Sequence, residues 1–162
     1  MGHHITAILL KGDYDISLAE SFDLLGVRLD NTITMFFIDN YFSAYWQVKL
    51  GITGFLDRND ADYLPSENVL AHLMEQISKQ KDPIFALIET DYFGGMGKQY
   101  ANVYRNKVLV DKNIKTINQA LAYLGVKRRS KVDEFDTVGL GNYRSNPEYL
   151  EKYTDLANEL DL

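Results

Sequence analysis

Residues 84–93, IFALIETDYF, run straight into GGMGK, and this junction constrains the fold more than any other stretch of the 162-residue chain. Aromatic and β-branched residues dominate the run, so it reads as a β-strand. Residues 99–110 supply one or two further strands, which makes the glycines a turn between antiparallel partners. Gly94, Gly95 and Gly97 give the backbone access to the positive φ that tight hairpin turns require. A phosphate-binding loop is the competing expectation. It needs G-x-x-x-x-G-K-[ST] ahead of a helix. Here Tyr92 stands where the first glycine belongs, Gln99 where the hydroxyl belongs, and residues 100–104, YANVY, are strand-like. No helix N-terminus then faces the loop to hold an anion. The dinucleotide pattern fails too, because Tyr100 occupies the place of its third glycine. One question stays open. A plain hairpin needs one or two glycines, and a third frees bare N–H groups that, with Lys98, would suit a carboxylate or phosphate.

Strand periodicity puts Phe85, Leu87, Glu89, Asp91 and Phe93 on one face, and Ile84, Ala86, Ile88, Thr90 and Tyr92 on the other. Two carboxylates therefore share a face that begins and ends apolar. Paired carboxylates suit acid–base chemistry, because burial and neighbouring negative charge push one of them towards its neutral form. The plainer reading is a solvated sheet rim. A buried acid there needs a partner, for which Arg105 and Arg144 are the candidates. A second suggestive stretch, 133–144 (DEFDTVGLGNYR), joins acids, a G-x-G and an arginine in a segment with little regular pattern. If the two glycine stretches meet, one ligand pocket gathers Glu89, Asp91, Gly95, Lys98, Asp136 and Arg144. No catalytic residue is assigned.

The rest of the chain reads as alternating short elements. Strands are expected over residues 5–11 and 33–39. Helices are expected over 17–25, opened by a Ser17–Glu20 capping box, and over 41–50, stopped by Gly51. After a polar loop at 51–65, Ser66 is expected to cap a helix whose apolar stripe is Val69, Leu70, Leu73, Met74 and Ile77. Thr116–Gln119 spells another capping box, closed by Gly125. Residues 135–140 read as extended, and Asn146-Pro147-Glu148 as the capped start of a last helix. The expectation is a single domain, 1–162, of α+β class: a mainly antiparallel sheet containing an 84–110 hairpin, with three to four helices packed on one face.

Composition narrows the function classes. The formal charge of −6 disfavours nucleic-acid backbones as partners. The run Lys127-Arg128-Arg129-Ser130-Lys131 is offset by Asp133, Glu134 and Asp136 and reads as a solvated loop. No apolar stretch is long enough to cross a bilayer. The absence of cysteine excludes disulfides and thiolate chemistry and fits a cytoplasmic location. His3 and His4 point to opposite faces if extended, so they share no metal, and His72 has no partner at helical spacing. Residues 57–62 resemble a calcium loop but lack its glycine and its closing glutamate. Ser78–Lys81 spells S-x-x-K without its companion motifs, and the aromatic stretch 41–46 reads as core. No cofactor or metal is expected. Eleven tyrosines and the acidic balance favour a non-catalytic interaction or regulatory module that binds a basic partner protein. The alternative is a small-ligand binder or enzyme with its site between Gly94–Gly97 and Asp136–Arg144. A homo-oligomer is compatible with either.

Overall fold

A computed structural model describes residues 2–59 and 64–162; the calcium-like segment 57–62 and Tyr63 lie wholly or partly outside them. Among the described residues the chain forms six strands and six helices. The strands are β1 (Thr6–Lys11), β2 (Val27–Arg28), β3 (Ile33–Phe37), β4 (Ile84–Phe93), β5 (Met96–Arg105) and β6 (Val108–Leu109). The helices are α1 (Ile16–Ser21), α2 (Asn40–Leu50), α3 (Asn68–Ile77), α4 (Ile117–Tyr123), α5 (Glu134–Thr137) and α6 (Lys152–Glu159). The strands make one sheet in the order β2-β3-β1-β4-β5-β6, with every neighbour antiparallel. This is the α+β architecture with an antiparallel sheet. No helix among the described residues is long and apolar enough to cross a membrane.

Helices cover both faces of the sheet, where one covered face was expected. On the face carrying Ile8, Phe36 and Leu87, Tyr14 packs edge-on against Phe36, and Asp15 donates its N–H to Ile77 O at the end of α3. On the face carrying Ala7, Phe37 and Ile88, His3 touches Phe135 of α5 and Phe37 touches Tyr143. Gln99 Oε1 accepts from Ile117 N at the start of α4. The physical reason lies in the strands themselves. All five residues of β3 and the first five of β1 are buried, and their sequences do not alternate apolar with polar. A strand apolar on both sides must be covered on both sides.

Several helix starts differ from the sequence expectation because other groups take over the capping. The carboxylate of Asp15 accepts from Leu18 N, so α1 begins ahead of Ser17. Asn68 N donates to Gly54 O, so α3 needs no Ser66 cap. The Thr116–Gln119 capping box and the Gly51 stop are both present. Residues 134–137 are helical, not extended, because Asp133 caps them by accepting from Asp136 N; a 3-10 turn at Leu140–Asn142 follows. Asn146 caps no helix. Its side chain accepts from Thr6 N and donates to Ile38 O, closing the gap where β3 leaves β1 to enter α2. The last helix therefore starts later, after a 3-10 turn at Glu148–Leu150. The aromatic stretch 41–46 is core in part: Phe42 is fully buried against Trp46 and Tyr153, Tyr45 and Trp46 are half-buried, and Tyr41 is exposed. There Tyr153 OH donates to Asp23, whose carboxylate also pairs with Lys152 at 2.8 Å, tying α6 to the end of α1.

The glycine stretch is a two-residue hairpin turn. Phe93 pairs with Met96, and Gly94 and Gly95 take φ of 60° and 79°. Positive φ at both central residues matches the right-handed twist of the strands. The third glycine has a different reason. A Cβ on Gly97 would lie 1.9 Å from Asp91 O, so only a bare backbone fits opposite Tyr92. At Gly94 nothing lies within 4 Å of such an atom. Gly94→Ala should therefore lose about 1–2 kcal/mol through its left-handed backbone alone. Gly97→Ala, which drives a methyl into backbone, should lose on the order of 3 kcal/mol. Urea unfolding midpoints of the two variants give that order directly.

Candidate functional site

Beyond Thr90 the hairpin runs out towards solvent. Asp91 and Phe93 of β4, and Met96, Gly97 and Lys98 of β5, are exposed. Residues 2–5 run beside this end; a Cβ on Gly2 would lie 3.2 Å from Tyr92 O and 3.7 Å from the Phe93 ring. His3 and Tyr92 exchange two backbone hydrogen bonds of 2.9 Å, so the β1 ladder continues along β4 to His3. On the opposite edge His4 N donates to Arg144 O at 2.7 Å. The extension of β1 thus lies between the 139–145 segment and β4, and β5 lies one strand further out. The two glycine-bearing stretches meet only in part: Asp133 and Phe135, at the start of the second, share a cleft lining with Gly95, whereas Gly139, Gly141 and Arg144 line neither hairpin cleft.

The hairpin carries one cleft on each face. The cleft on the acid face has a volume of about 470 Å³ and is lined by His4, Asn40, Glu89, Asp91, Gly97, Lys98 and Tyr100. The cleft on the opposite face, about 320 Å³, is lined by His3, Tyr92, Gly95, Gln99, Asn118, Asp133 and Phe135. Of the six residues singled out from sequence, Glu89, Asp91 and Lys98 come together in the first cleft. Gly95 borders the second. Asp136 sits on α5, its carbonyl accepting from Arg129, and belongs to neither lining. Arg144 reaches the region through its carbonyl bond to His4.

Hydrogen bonding separates the two clefts. In the second, the polar groups are committed to holding the fold. His3 Nε2 lies 3.0 Å from Leu140 O and Nδ1 lies 2.7 Å from Thr90 Oγ1. A carbonyl only accepts, so Nε2 carries the hydrogen, and in the neutral ring Nδ1 accepts from the Thr90 hydroxyl. Gln99 donates to Tyr92 OH while accepting from α4. Asn118 donates to Asp133 and accepts from Phe135 N, joining α4 to α5.

The acid cleft is less committed. Thr6 Oγ1 donates to Glu89 Oε1 at 3.2 Å, and His4 Nε2 lies 3.9 Å from the same oxygen. The Glu89 side chain is 15% exposed and that of His4 67% exposed, so the histidine is a solvated, weak counter-charge. Asp91 and Lys98 are cross-strand neighbours, yet among the described residues neither forms an ion pair. Arg105 sits across from Ile84 at the far end of the hairpin and serves neither acid. Burial pushes the Glu89 carboxyl above its ordinary range. Thr6 and His4 draw it partly back, and Asp91 pushes it further up. Among the described residues no group of three histidine, aspartate or glutamate side chains is placed to hold a metal.

His4, Thr6 and Tyr100 were missed as site residues. A signal for them existed in the parity of the strands. Once Thr6 opposes Glu89, His4 must fall beside Asp91 on the acid face and His3 on the other. No family model, no curated protein and no solved structure matches this chain.

The raised Glu89 carboxyl fixes the sign of a pH effect. The folded state holds the proton more tightly than the unfolded state. Its contribution to stability is therefore full below the unfolded value and is lost as pH rises through the folded one. Glu89→Gln should be more stable than the parent at pH 7, by on the order of 0.5 kcal/mol. The difference should vanish by pH 4, as read from urea unfolding at both pH values.

Proposed function

We propose that this protein is a non-catalytic interaction module that docks a basic partner protein through the distal end of the β4–β5 hairpin. One observation carries the reading. Phe93 and Met96, paired across the turn, are each 81% exposed. Single exposed apolar residues are ordinary. Two large ones paired beside the turn of a continuous two-stranded ladder make an anchor of the kind that dominates interface energetics. Methionine adds a side chain that adapts to an irregular pocket. The formal charge of −6 favours fast association with a basic target, which suits a regulatory or neutralising role. A chain without cysteine is compatible with a cytoplasmic setting.

Tyrosine gives this reading little support. Among the described tyrosines only Tyr41 and Tyr123 are exposed; Tyr104 and Tyr153 are buried. A second reading, a small-ligand site, is favoured by the volume of the acid cleft, about 470 Å³, which lies within the range of ligand pockets.

Affinity capture from the source lysate separates the two. The immobilised chain should retain a basic protein, and the double variant Phe93→Ser, Met96→Ser should lose it by at least about tenfold while keeping the parent melting temperature. Equal capture by parent and variant would discard the tip as the docking element. No specific capture, together with thermal stabilisation by a member of a metabolite panel, would replace this function with the small-ligand reading. Molar mass in solution, compared between parent and variant, tests whether the partner is a second copy.

A further inference from the structure

Building on that reading, we propose that the open sheet face running from Glu89 to the tip receives an arginine-bearing basic segment of the partner, with guanidinium groups seated against Glu89 and Asp91. The register sets three rungs on one face: Glu89 opposite Tyr100, Asp91 opposite Lys98, Phe93 opposite Met96. Successive rungs on a face are about 7 Å apart. A carboxylate floor, a carboxylate rim and an apolar anchor therefore follow one another within about 14 Å. An extended segment with alternating basic, basic and apolar side chains has the same spacing.

Charge complementarity names the occupant. Glu89 is mostly withdrawn from water, and a withdrawn carboxylate is costly unless a cation meets it. His4, at 3.9 Å and largely solvated, meets it poorly. Among the described residues no lysine or arginine pairs with Glu89 or Asp91. Guanidinium fits better than ammonium. Its planar fork offers five donors and can engage carboxylates bidentately, and it stacks on an aromatic ring such as that of Tyr100. Lys98 works against any incoming cation. It is exposed, so solvent screens it, whereas Glu89 is not screened to the same degree.

Lys98 makes the proposal testable by sign. The probe is a blocked peptide in which two arginines and a leucine alternate with serines, titrated into the full chain and followed by amide shifts in nitrogen-edited NMR. Comparison peptides carry lysine or glutamate in place of arginine. The arginine peptide should shift the amides of Glu89, Asp91, Lys98 and Tyr100. The lysine peptide should bind more weakly, and the glutamate peptide should leave those amides unmoved. Glu89→Gln and Asp91→Asn should each weaken binding about fivefold, and Lys98→Ala should tighten it about twofold. Binding of the glutamate peptide at the same amides, weakening by Lys98→Ala, indifference to Glu89→Gln, or no shifts at millimolar peptide would each overturn the proposal. The proposed function fails separately. Partner capture that depends on Phe93 and Met96 but survives Glu89→Gln removes the arginine socket and leaves the docking tip. Peptide binding without any captured partner retains the socket and removes the docking function.

Discussion

The central strand β1 is hydrogen-bonded along both edges, to β3 on one side and β4 on the other, and it is buried on both faces. Everything else depends on that arrangement. The segments on either side are local: β2 and β3 lie within residues 27–37, and β4, β5 and β6 within 84–109. Neither can bury its apolar sides alone. β1 joins them into one sheet, and the two helical layers then cover what the joined sheet leaves apolar. A strand so placed has no tolerance for a register slip, because a shift of one residue exchanges two buried faces at once.

The same strand creates the candidate site by outlasting its partners. β3 turns away into α2 at residue 38, while the β1 ladder continues along β4 as far as His3. Asn146 fills the place that β3 vacates, satisfying Thr6 N and Ile38 O, which would otherwise be left without a ladder partner. The sheet therefore ends in a narrow ribbon that carries a cleft on each face. Similar residue types line both clefts. They differ in whether their polar atoms are already bonded. Gln99, Asn118 and His3 are committed to neighbours, and that side works as a joint between α4, α5 and the sheet. Glu89 has only the Thr6 hydroxyl and the solvated His4 beside it among the described residues, and Asp91 forms no ion pair there.

Much of the ribbon was legible in the sequence. The 84–93 strand, the glycine turn and the grouping of Glu89 with Asp91 followed from period-two alternation and from turn chemistry, both local properties. Thr116 and Gln119 likewise announced a capping box that is present. The failures share a cause. Ser66 and Asn146 are good caps by residue type, but distant backbone groups, Gly54 O in one case and Thr6 and Ile38 in the other, settled what those positions do. The second covered face is signalled by the unalternating apolar runs of β1 and β3, which need cover on both sides. The separation of Glu89 from Asp136 depended on where residues 3–5 run, which no short-range pattern encodes. Gly97 shows the limit within the hairpin itself. Its need for a bare backbone comes from Asp91 O across the ladder, not from its own turn.

The tip pair Phe93 and Met96 shares its side of the ribbon with Glu89 only because the offset is even on both strands, four positions from Glu89 to Phe93 and four from Met96 to Tyr100, the cross-strand partner of Glu89. Drift in the length of this finger is thereby quantised. Lengthening both strands by two residues would lift the apolar pair outward and keep it above the acids. Adding one residue to each strand would deliver it to the side of His3 and Tyr92, where the neighbouring polar groups are already engaged. Any lineage carrying this finger can alter its reach in steps of a full pleat, and an odd step uncouples grip from charge.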